Sequence, residues 1–282
     1  MNKVNLLLIV LLPLLFISCK KDKEEVLDPT EYKELINVEY GNHARQQFDL
    51  YLPANRNENT KVLILIHGGA WRSGSKNDMN ELKNFVQDNF PNLAIANMNY
   101  RLANNSTRPF PMQTDDITLL VNHLTNNQSN YTVSNDLGML GVSAGAHLSM
   151  LWSYAHDNDS KVKMVCSWVG PTNLADTAYL NSTNPDIQNI YAQFGAGTLI
   201  PYLEENSPVF QVTANAPPTL LLYGGQDPLV PTSQGMDMRD KLVDLSVTHE
   251  FKFYPNAGHG FVGTDLFDAA VSLEAFMETH FQ

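Results

Sequence analysis

The sequence has few cysteines, no cluster of basic residues and no apolar run long enough to cross a bilayer. Cys19 and Cys166 are the only cysteines among 282 residues, so no disulfide framework is available. Lys and Arg number 18 against 30 Asp and Glu, and the net charge of -12 opposes binding to nucleic acid or to anionic membranes. We attribute this acidity to solubility. No histidine spacing resembles a metal site such as His-Glu-Xaa-Xaa-His, so we expect no metal.

The N-terminal segment has the composition of a targeting signal. A short basic start, residues 1–3, precedes the apolar run 4–17, which is shorter than the roughly 20 residues that span a bilayer. Ser18-Cys19 follows, and the whole segment is similar to a bacterial lipoprotein signal. This resemblance implies a signal peptide over 1–18, lipidation of Cys19, a charged tether over 19–33, and anchoring to a membrane in the periplasm or at the cell surface. The alternative is an ordinary secretory signal that is cut elsewhere.

Beyond this segment, predicted strands and helices alternate. Residues 35–40 and 46–52 alternate apolar and polar side chains and predict an antiparallel pair of strands. The further predicted strands are 61–66, 93–99, 137–140, 162–169, 219–223 and 248–254; the predicted helices are 78–90, 112–124, 144–154, 233–245 and 266–281. This alternation predicts an α/β fold with a mostly parallel central sheet and helices on both faces.

One segment departs from that pattern. Residues 171–216 are rich in Gly, Pro, Asn and Ser, with a single short helical patch near 187–194. We interpret this segment as a small insertion after the sixth strand that forms a lid or a substrate wall.

The most informative motif is Gly141-Val142-Ser143-Ala144-Gly145, which lies between a predicted strand and a predicted helix. A sharp turn there would expose the hydroxyl of Ser143, and the two glycines would leave room for it. Serine is a weak nucleophile unless a base and an anion stabiliser lie nearby. The motif alone is weak evidence, because it arises by chance in roughly one chain in ten of this length.

Candidates for the missing partners follow three other predicted strands. His67-Gly68-Gly69 can bring backbone N–H groups of Gly68 and Gly69 close to a ligand, and with the N–H of Ala144 these predict an oxyanion hole. Asp227 and His259 each follow a predicted strand. We expect Asp227 to be the acid of a catalytic triad and His259 to be its general base. Each has a simpler explanation as a turn residue. The order serine, aspartate, histidine is that of α/β-hydrolases.

These motifs together resemble the α/β-hydrolases of the esterase and lipase group that have a His-Gly-Gly oxyanion loop. More narrowly, the chain is similar to compact bacterial feruloyl-esterase-like carboxylesterases, which are related to kynurenine formamidases and to the hydrolase domains of prolyl-oligopeptidase-type peptidases. The resemblance implies that residues 34–282 form one α/β-hydrolase domain. The matching stretches are residues 48–53, 67–71, 99–102, 143–148, 170–174, 207–208, 227–231 and 258–261. Ala70 stands where a third glycine is frequent, and Asn173 where this subgroup often has Asp.

The resemblance implies a serine carboxylesterase that forms an acyl-enzyme without a cofactor. Its substrates would be small acyl or aryl esters, with carbohydrate-linked esters as one candidate class. Trp71, Leu229 and Phe261 are the predicted walls of an apolar pocket. Two alternatives stay open: an amidase or peptidase of the same fold, and a surface-binding lipoprotein without catalysis. The sequence leaves the natural substrate and the oligomeric state undetermined.

Overall fold

The computed structural model describes residues 27–195 and 200–282. The predicted signal peptide, Cys19 and most of the predicted tether lie outside these residues. The strands are β1 Lys33–Glu39, β2 Gln47–Leu52, β3 Val62–Ile66, β4 Ala94–Met98, β5 Leu137–Val142, β6 Val162–Trp168, β7 Thr219–Gly224 and β8 His249–Tyr254. The helices are α1 Asn80–Asn89, α2 Met112–Asn126, α3 Gln128–Tyr131, α4 Ala144–Ala155, α5 Thr177–Leu180, α6 Pro185–Ala192, α7 Ile200–Glu205, α8 Pro208–Gln211, α9 Thr232–Asp244 and α10 Gly263–His280.

The eight strands form one sheet in the order β1-β2-β4-β3-β5-β6-β7-β8. β1 pairs antiparallel with β2, and β2 pairs antiparallel with β4. Every other neighbouring pair is parallel. The predicted α/β-hydrolase architecture, with its antiparallel strand pair at one edge and a mostly parallel sheet, is therefore confirmed. Because parallel strands end at the same edge of a sheet, the loops after β3, β5, β7 and β8 all lie at that edge.

Helices cover both faces of the sheet and bury two apolar cores. One core lies under α1 and α10, and the other under α2, α4 and α9. The central strand β3 has the sequence VLILI, and all five residues are buried because both of its faces are covered. Helix α10 buries Ala269, Leu273, Phe276 and Met277 at helical spacing against the sheet. No helix among residues 27–195 and 200–282 has the length and apolarity to cross a membrane.

Two boundaries differ from the expectations. β1 begins at Lys33, and the side chain of Leu27 is buried in the larger core, so the end of the predicted tether contacts the domain through Leu27. The described part of the insertion after β6 contains four helices, α5 to α8, where the sequence predicted one short patch. Two of them begin at polar caps that are hard to recognise in a segment so rich in Asn and Ser: the side chain of Asp176 accepts from the N–H of Ala178, and that of Asn184 from the N–H of Asp186.

Candidate active site

Ser143 lies on a sharp turn between β5 and α4. Its backbone has φ 56° and ψ -120°, a conformation that costs on the order of 1–3 kcal/mol for a residue with a side chain. The flanking glycines explain why the turn can form. A Cβ on Gly145 would come within 2.0 Å of the carbonyl oxygen of Ile66 in β3, and one on Gly141 within 2.2 Å of the carbonyl oxygen of Gly145. The two glycines therefore let helix α4 approach the sheet closely.

The three predicted catalytic side chains meet at this edge. The Nε2 atom of His259 lies 3.0 Å from the Oγ atom of Ser143, and its Nδ1 atom lies 2.7 Å from Oδ2 of Asp227. An ionised carboxylate only accepts hydrogen bonds, so Nδ1 carries the proton and Nε2 is left to accept the proton of the serine hydroxyl. The three residues come from the ends of β5, β7 and β8. The serine and the histidine are 116 positions apart in the sequence.

The side chain of Asp227 is buried and fixed by backbone hydrogen bonds. Its side chain is 1% exposed, and its other oxygen, Oδ1, accepts hydrogen bonds from the backbone N–H groups of Leu229 and Val230 at 2.8 and 2.9 Å. The side chain of His259 is 27% exposed. The acid is therefore enclosed and fixed, whereas the imidazole faces the opening through which a substrate would enter.

The predicted oxyanion loop lies beside the serine. A Cβ on Gly68 would lie 3.2 Å from the Cβ of Ser143, so the two backbones are nearly in contact. Within the described residues, the backbone N–H groups of Gly68, Gly69 and Ala144 donate to no protein acceptor. Donors that stay unpaired near a nucleophile are what an oxyanion hole requires.

The loop turns in an unusual way after the glycines. Ala70 and Trp71 have φ values of 50° and 62°, and the N–H of Arg72 donates to the carbonyl of Gly69 at 3.0 Å. Two successive left-handed residues define a type I′ turn, which favours Asn and Gly. With Ala and Trp in these positions, the conformation costs roughly 1–2 kcal/mol for each residue. The surrounding structure must hold the turn in place.

Two buried histidines brace the loop and the helix behind the serine. The ring of His67 stacks on Tyr100 at 4.2 Å, and its Nδ1–H donates to the carbonyl of Gly68 at 2.6 Å. His147, one turn after Ser143, donates from Nε2 to the carbonyl of Asn206 at 2.8 Å. Burial lowers the pKa of each histidine to about 4, so both are neutral at pH 7.

A cavity of about 440 Å³ opens next to Ser143. Trp71 and Leu229 line it, and their contact with substrate stays a prediction. Phe261 is not among its lining residues: its ring is buried in the smaller core, 4.8 Å from that of Tyr254 and 5.4 Å from that of Trp168. Its predicted role as a pocket wall is therefore corrected. The loop after β8 thus directs His259 toward the serine and the ring of Phe261 into the core.

The insertion supplies pocket residues that the sequence did not reveal. The walls are completed by Leu174, Tyr179, Ile187, Ile190 and Tyr191. All five belong to the segment between β6 and β7, where no strand or helix period marks an inward face. The segment therefore lines the cavity, and its role as a lid or substrate wall stays a prediction. In the part of the chain that the structure describes, no group of three or more His, Cys, Asp or Glu side chains could hold a metal ion.

Comparison with known proteins identifies the family. The profile of the BD-FAE family matches residues 48–242. The chain belongs to the BD-FAE family. Among curated relatives, this BD-FAE chain is 26% identical over 259 residues to esterase LipC of Mycobacterium tuberculosis, an alignment that covers 85% of the chain and 62% of LipC. It is 24% identical to the isoprenylcysteine alpha-carbonyl methylesterase ICME of Arabidopsis thaliana, covering 82% of the chain and 56% of ICME.

Solved structures show the same fold. The BD-FAE chain superposes on a truncated carbohydrate esterase from gut microbiota with a TM-score of 0.73 and 20% identity, covering 89% of the chain and 99% of that structure. It superposes on an esterase of Pyrobaculum calidifontis with a TM-score of 0.72 and 19% identity, covering 88% and 85%. At such identities the likeness establishes the α/β-hydrolase fold. The chain spans about 62% and 56% of the lengths of the two curated relatives it matches.

Proposed function

We propose that this protein is a serine carboxylesterase that works through an acyl-enzyme. The observation that carries the proposal is the continuous relay from Asp227 through His259 to Ser143, with distances of 2.7 and 3.0 Å, at the mouth of a cavity. Membership in the BD-FAE family and the esterase relatives support an ester as the substrate.

The geometry suits the two-step reaction of a serine hydrolase. Nε2 of His259 takes the hydroxyl proton of Ser143 as Oγ forms a bond to the ester carbonyl carbon. The negative charge that develops on the carbonyl oxygen is stabilised by the unpaired N–H groups of Gly69, Ala144 and Gly68. The C–O bond to the alcohol then breaks, and the alcohol leaves with the proton from His259. Water repeats the sequence on the acyl-enzyme, which releases the acid and restores the serine.

The cavity suggests the class of substrate. Its walls are mostly apolar, and its volume of about 440 Å³ suits a small acyl or aryl group. Carbohydrate-linked esters are one candidate class within the proposal. The fold neighbours that support this class include the carbohydrate esterase from gut microbiota and a bifunctional GH43-CE protein of Bacteroides eggerthii.

The test compares hydrolysis of nitrophenyl acetate, methyl ferulate and an aminoacyl anilide. We expect wild type to hydrolyse the esters, and Ser143→Ala to lose activity by roughly 10⁴-fold or more, because the nucleophile is removed. Ser153→Ala is the matched control: it lies on the same helix, and within the described residues its hydroxyl hydrogen-bonds to the sulfur of Met139 alone. Ester turnover that is unchanged in Ser143→Ala would reject the serine mechanism. Turnover of the anilide alone would favour an amidase, and the absence of any turnover would favour a binding protein.

Export and membrane anchoring form a separate part of the proposal. They are supported by the sequence of residues 1–19 alone, in which an apolar segment ends at Ser18-Cys19. Labelling of cells with radioactive palmitate should mark wild type and not Cys19→Ala, and wild type should fractionate with membranes. A wild-type protein that is cut and secreted without label would favour an ordinary secretory signal.

A further inference from the structure

Glutamine side chains hold the strained turn of the oxyanion loop. Nε2 of Gln193 donates to the carbonyl of Ala70 at 3.0 Å, and Nε2 of Gln113 donates to the carbonyl of Trp71 at 2.6 Å. Each of the two left-handed residues therefore has its carbonyl oxygen fixed by a buried amide. The two glutamines are 1% and 0% exposed. Neither was singled out by the sequence motifs.

The amide oxygens of these glutamines have no partner among the described residues. A buried polar atom without a partner is unfavourable, and a chain tolerates it where the rest of the side chain has a necessary contact. In Gln193 that contact is the hydrogen bond from Nε2 to the loop, which is the one its side chain makes with the described residues. Gln113 differs, because its Nε2 also donates to the carbonyl of Arg101 at 2.8 Å. Gln193 is thus the residue whose polar contact serves the loop alone.

Gln193 belongs to the insertion rather than to the sheet. It is the residue that follows helix α6, and the same helix carries Ile187, Ile190 and Tyr191 into the walls of the cavity. A second contact connects this helix to the loop, because the guanidinium of Arg72 donates to the carbonyl of Asn189 at 3.1 Å. The insertion therefore both shapes the pocket and contacts the turn that follows Gly69.

We propose that Gln193 is a positioning residue that fixes the Ala70 peptide and thereby aims the N–H groups of Gly68 and Gly69 at the substrate oxyanion. This inference rests on the proposed function. Ala70 cannot adopt its backbone conformation as freely as glycine does, so the loop needs an external contact to stay in place. The insertion then determines the precision of the oxyanion hole, as well as the shape of the pocket.

Such a role should act on the transition state and not on substrate binding. The ester carbonyl oxygen gains its full negative charge only as the tetrahedral intermediate forms, so a misplaced donor lowers kcat and leaves KM largely unchanged. A loss of pocket shape would instead raise KM. Phenylboronic acid is a suitable probe of the same geometry, since it forms a tetrahedral adduct with a reactive serine.

The first experiment replaces Gln193 by Met, which keeps the length of the side chain and removes the donor. We expect kcat for nitrophenyl acetate to fall about tenfold, the effect of one hydrogen bond of ordinary strength, and affinity for phenylboronic acid to fall by a similar factor with KM unchanged. The matched control is Gln188→Met, the same substitution at an exposed position of helix α6, five residues earlier. It should behave as wild type.

Two further variants separate positioning from space-filling. In Gln193→Glu, the buried acid donates to the Ala70 carbonyl when it is protonated and repels that carbonyl when it is ionised. The ratio of its kcat to that of wild type should therefore rise as the pH falls from 8 to 5. In an Ala70→Gly background, where the turn needs less support, the loss caused by Gln193→Met should be smaller than in wild type.

The outcomes distinguish this inference from the proposed function. If wild type has no hydrolysis that depends on Ser143, the function fails and the inference fails with it. If hydrolysis depends on Ser143 while Gln193→Met keeps kcat and phenylboronic acid affinity, or raises KM alone, this inference alone is overturned. It is also overturned if the Gln193→Glu ratio does not change with pH, or if neither Gln193 variant folds.

Discussion

Acidification should destabilise this protein, because His67 and His147 are buried in the neutral form. Both side chains are 0% exposed, and burial lowers the pKa of each to about 4 from an ordinary value of 6.5. Their ring nitrogens are already committed: each donates one hydrogen bond to a backbone carbonyl, and the other nitrogen of His147 faces the indole N–H of Trp71 at 3.4 Å. A second proton on His147 would have no acceptor there.

The sign and size of the effect follow from these values. In the unfolded chain these two histidines bind protons with a pKa of 6.5, and in the folded chain with a pKa of about 4. Their contribution to the stability of the folded state is therefore complete above pH 6.5 and is lost as the pH falls toward 4. At about 1.4 kcal/mol for each pKa unit, each histidine lowers the free energy of unfolding by roughly 2 kcal/mol between pH 7 and pH 5. Both together remove about 4 kcal/mol, a large share of the roughly 5–15 kcal/mol of a typical domain.

Urea unfolding at pH 7, 6 and 5, followed by circular dichroism, measures this loss. His147→Gln removes one of the two strongly shifted rings, so its own decrease between pH 7 and pH 5 should be smaller than that of wild type by roughly 2 kcal/mol, whatever its stability at pH 7. His280→Gln, on the last turn of α10, should leave the wild-type decrease unchanged. Equal free energies of unfolding at pH 7 and pH 5 in wild type would refute the reasoning.

Two further predictions concern stability, and urea unfolding at pH 7 checks both. Gly145→Ala should lower the free energy of unfolding by about 3 kcal/mol or prevent folding, because the new Cβ would lie 2.0 Å from the carbonyl oxygen of Ile66. Gly260→Ala is the control: open space surrounds this glycine, so the free energy of unfolding should change by less than about 0.5 kcal/mol. A small effect of Gly145→Ala would mean that α4 can move away from the sheet. Tyr179→Phe should leave stability unchanged or raise it by up to about 1 kcal/mol, since its buried hydroxyl has no partner among the described residues. The neighbouring Tyr191→Phe should lower stability by about 1 kcal/mol, because the hydroxyl of Tyr191 donates to a backbone carbonyl at 2.8 Å. A larger loss of stability in Tyr179→Phe than in Tyr191→Phe would contradict this account of the two hydroxyls.

The sequence alone was sufficient for the sheet and for the catalytic candidates. Strand β3 is a continuous apolar run and β5 leads directly into a glycine-serine motif, and such signals depend only on neighbours in the chain. The order Ser143, Asp227, His259 then indicated which loops must meet, since parallel strands end at one edge of the sheet. The structure brings these three side chains within hydrogen-bonding distance.

Only the tertiary structure decided how the oxyanion loop is held and which side chains form the pocket. Gln193 and Ala70 are 123 positions apart, and a hydrogen bond from a side chain to a distant carbonyl leaves no period or motif in the sequence. Phe261 follows His259 by two residues, yet the loop directs its ring into the core rather than into the pocket. Hydrophobic periodicity and turn residues are local properties, so they determine elements and their order; the direction of a loop side chain is set by packing among distant elements.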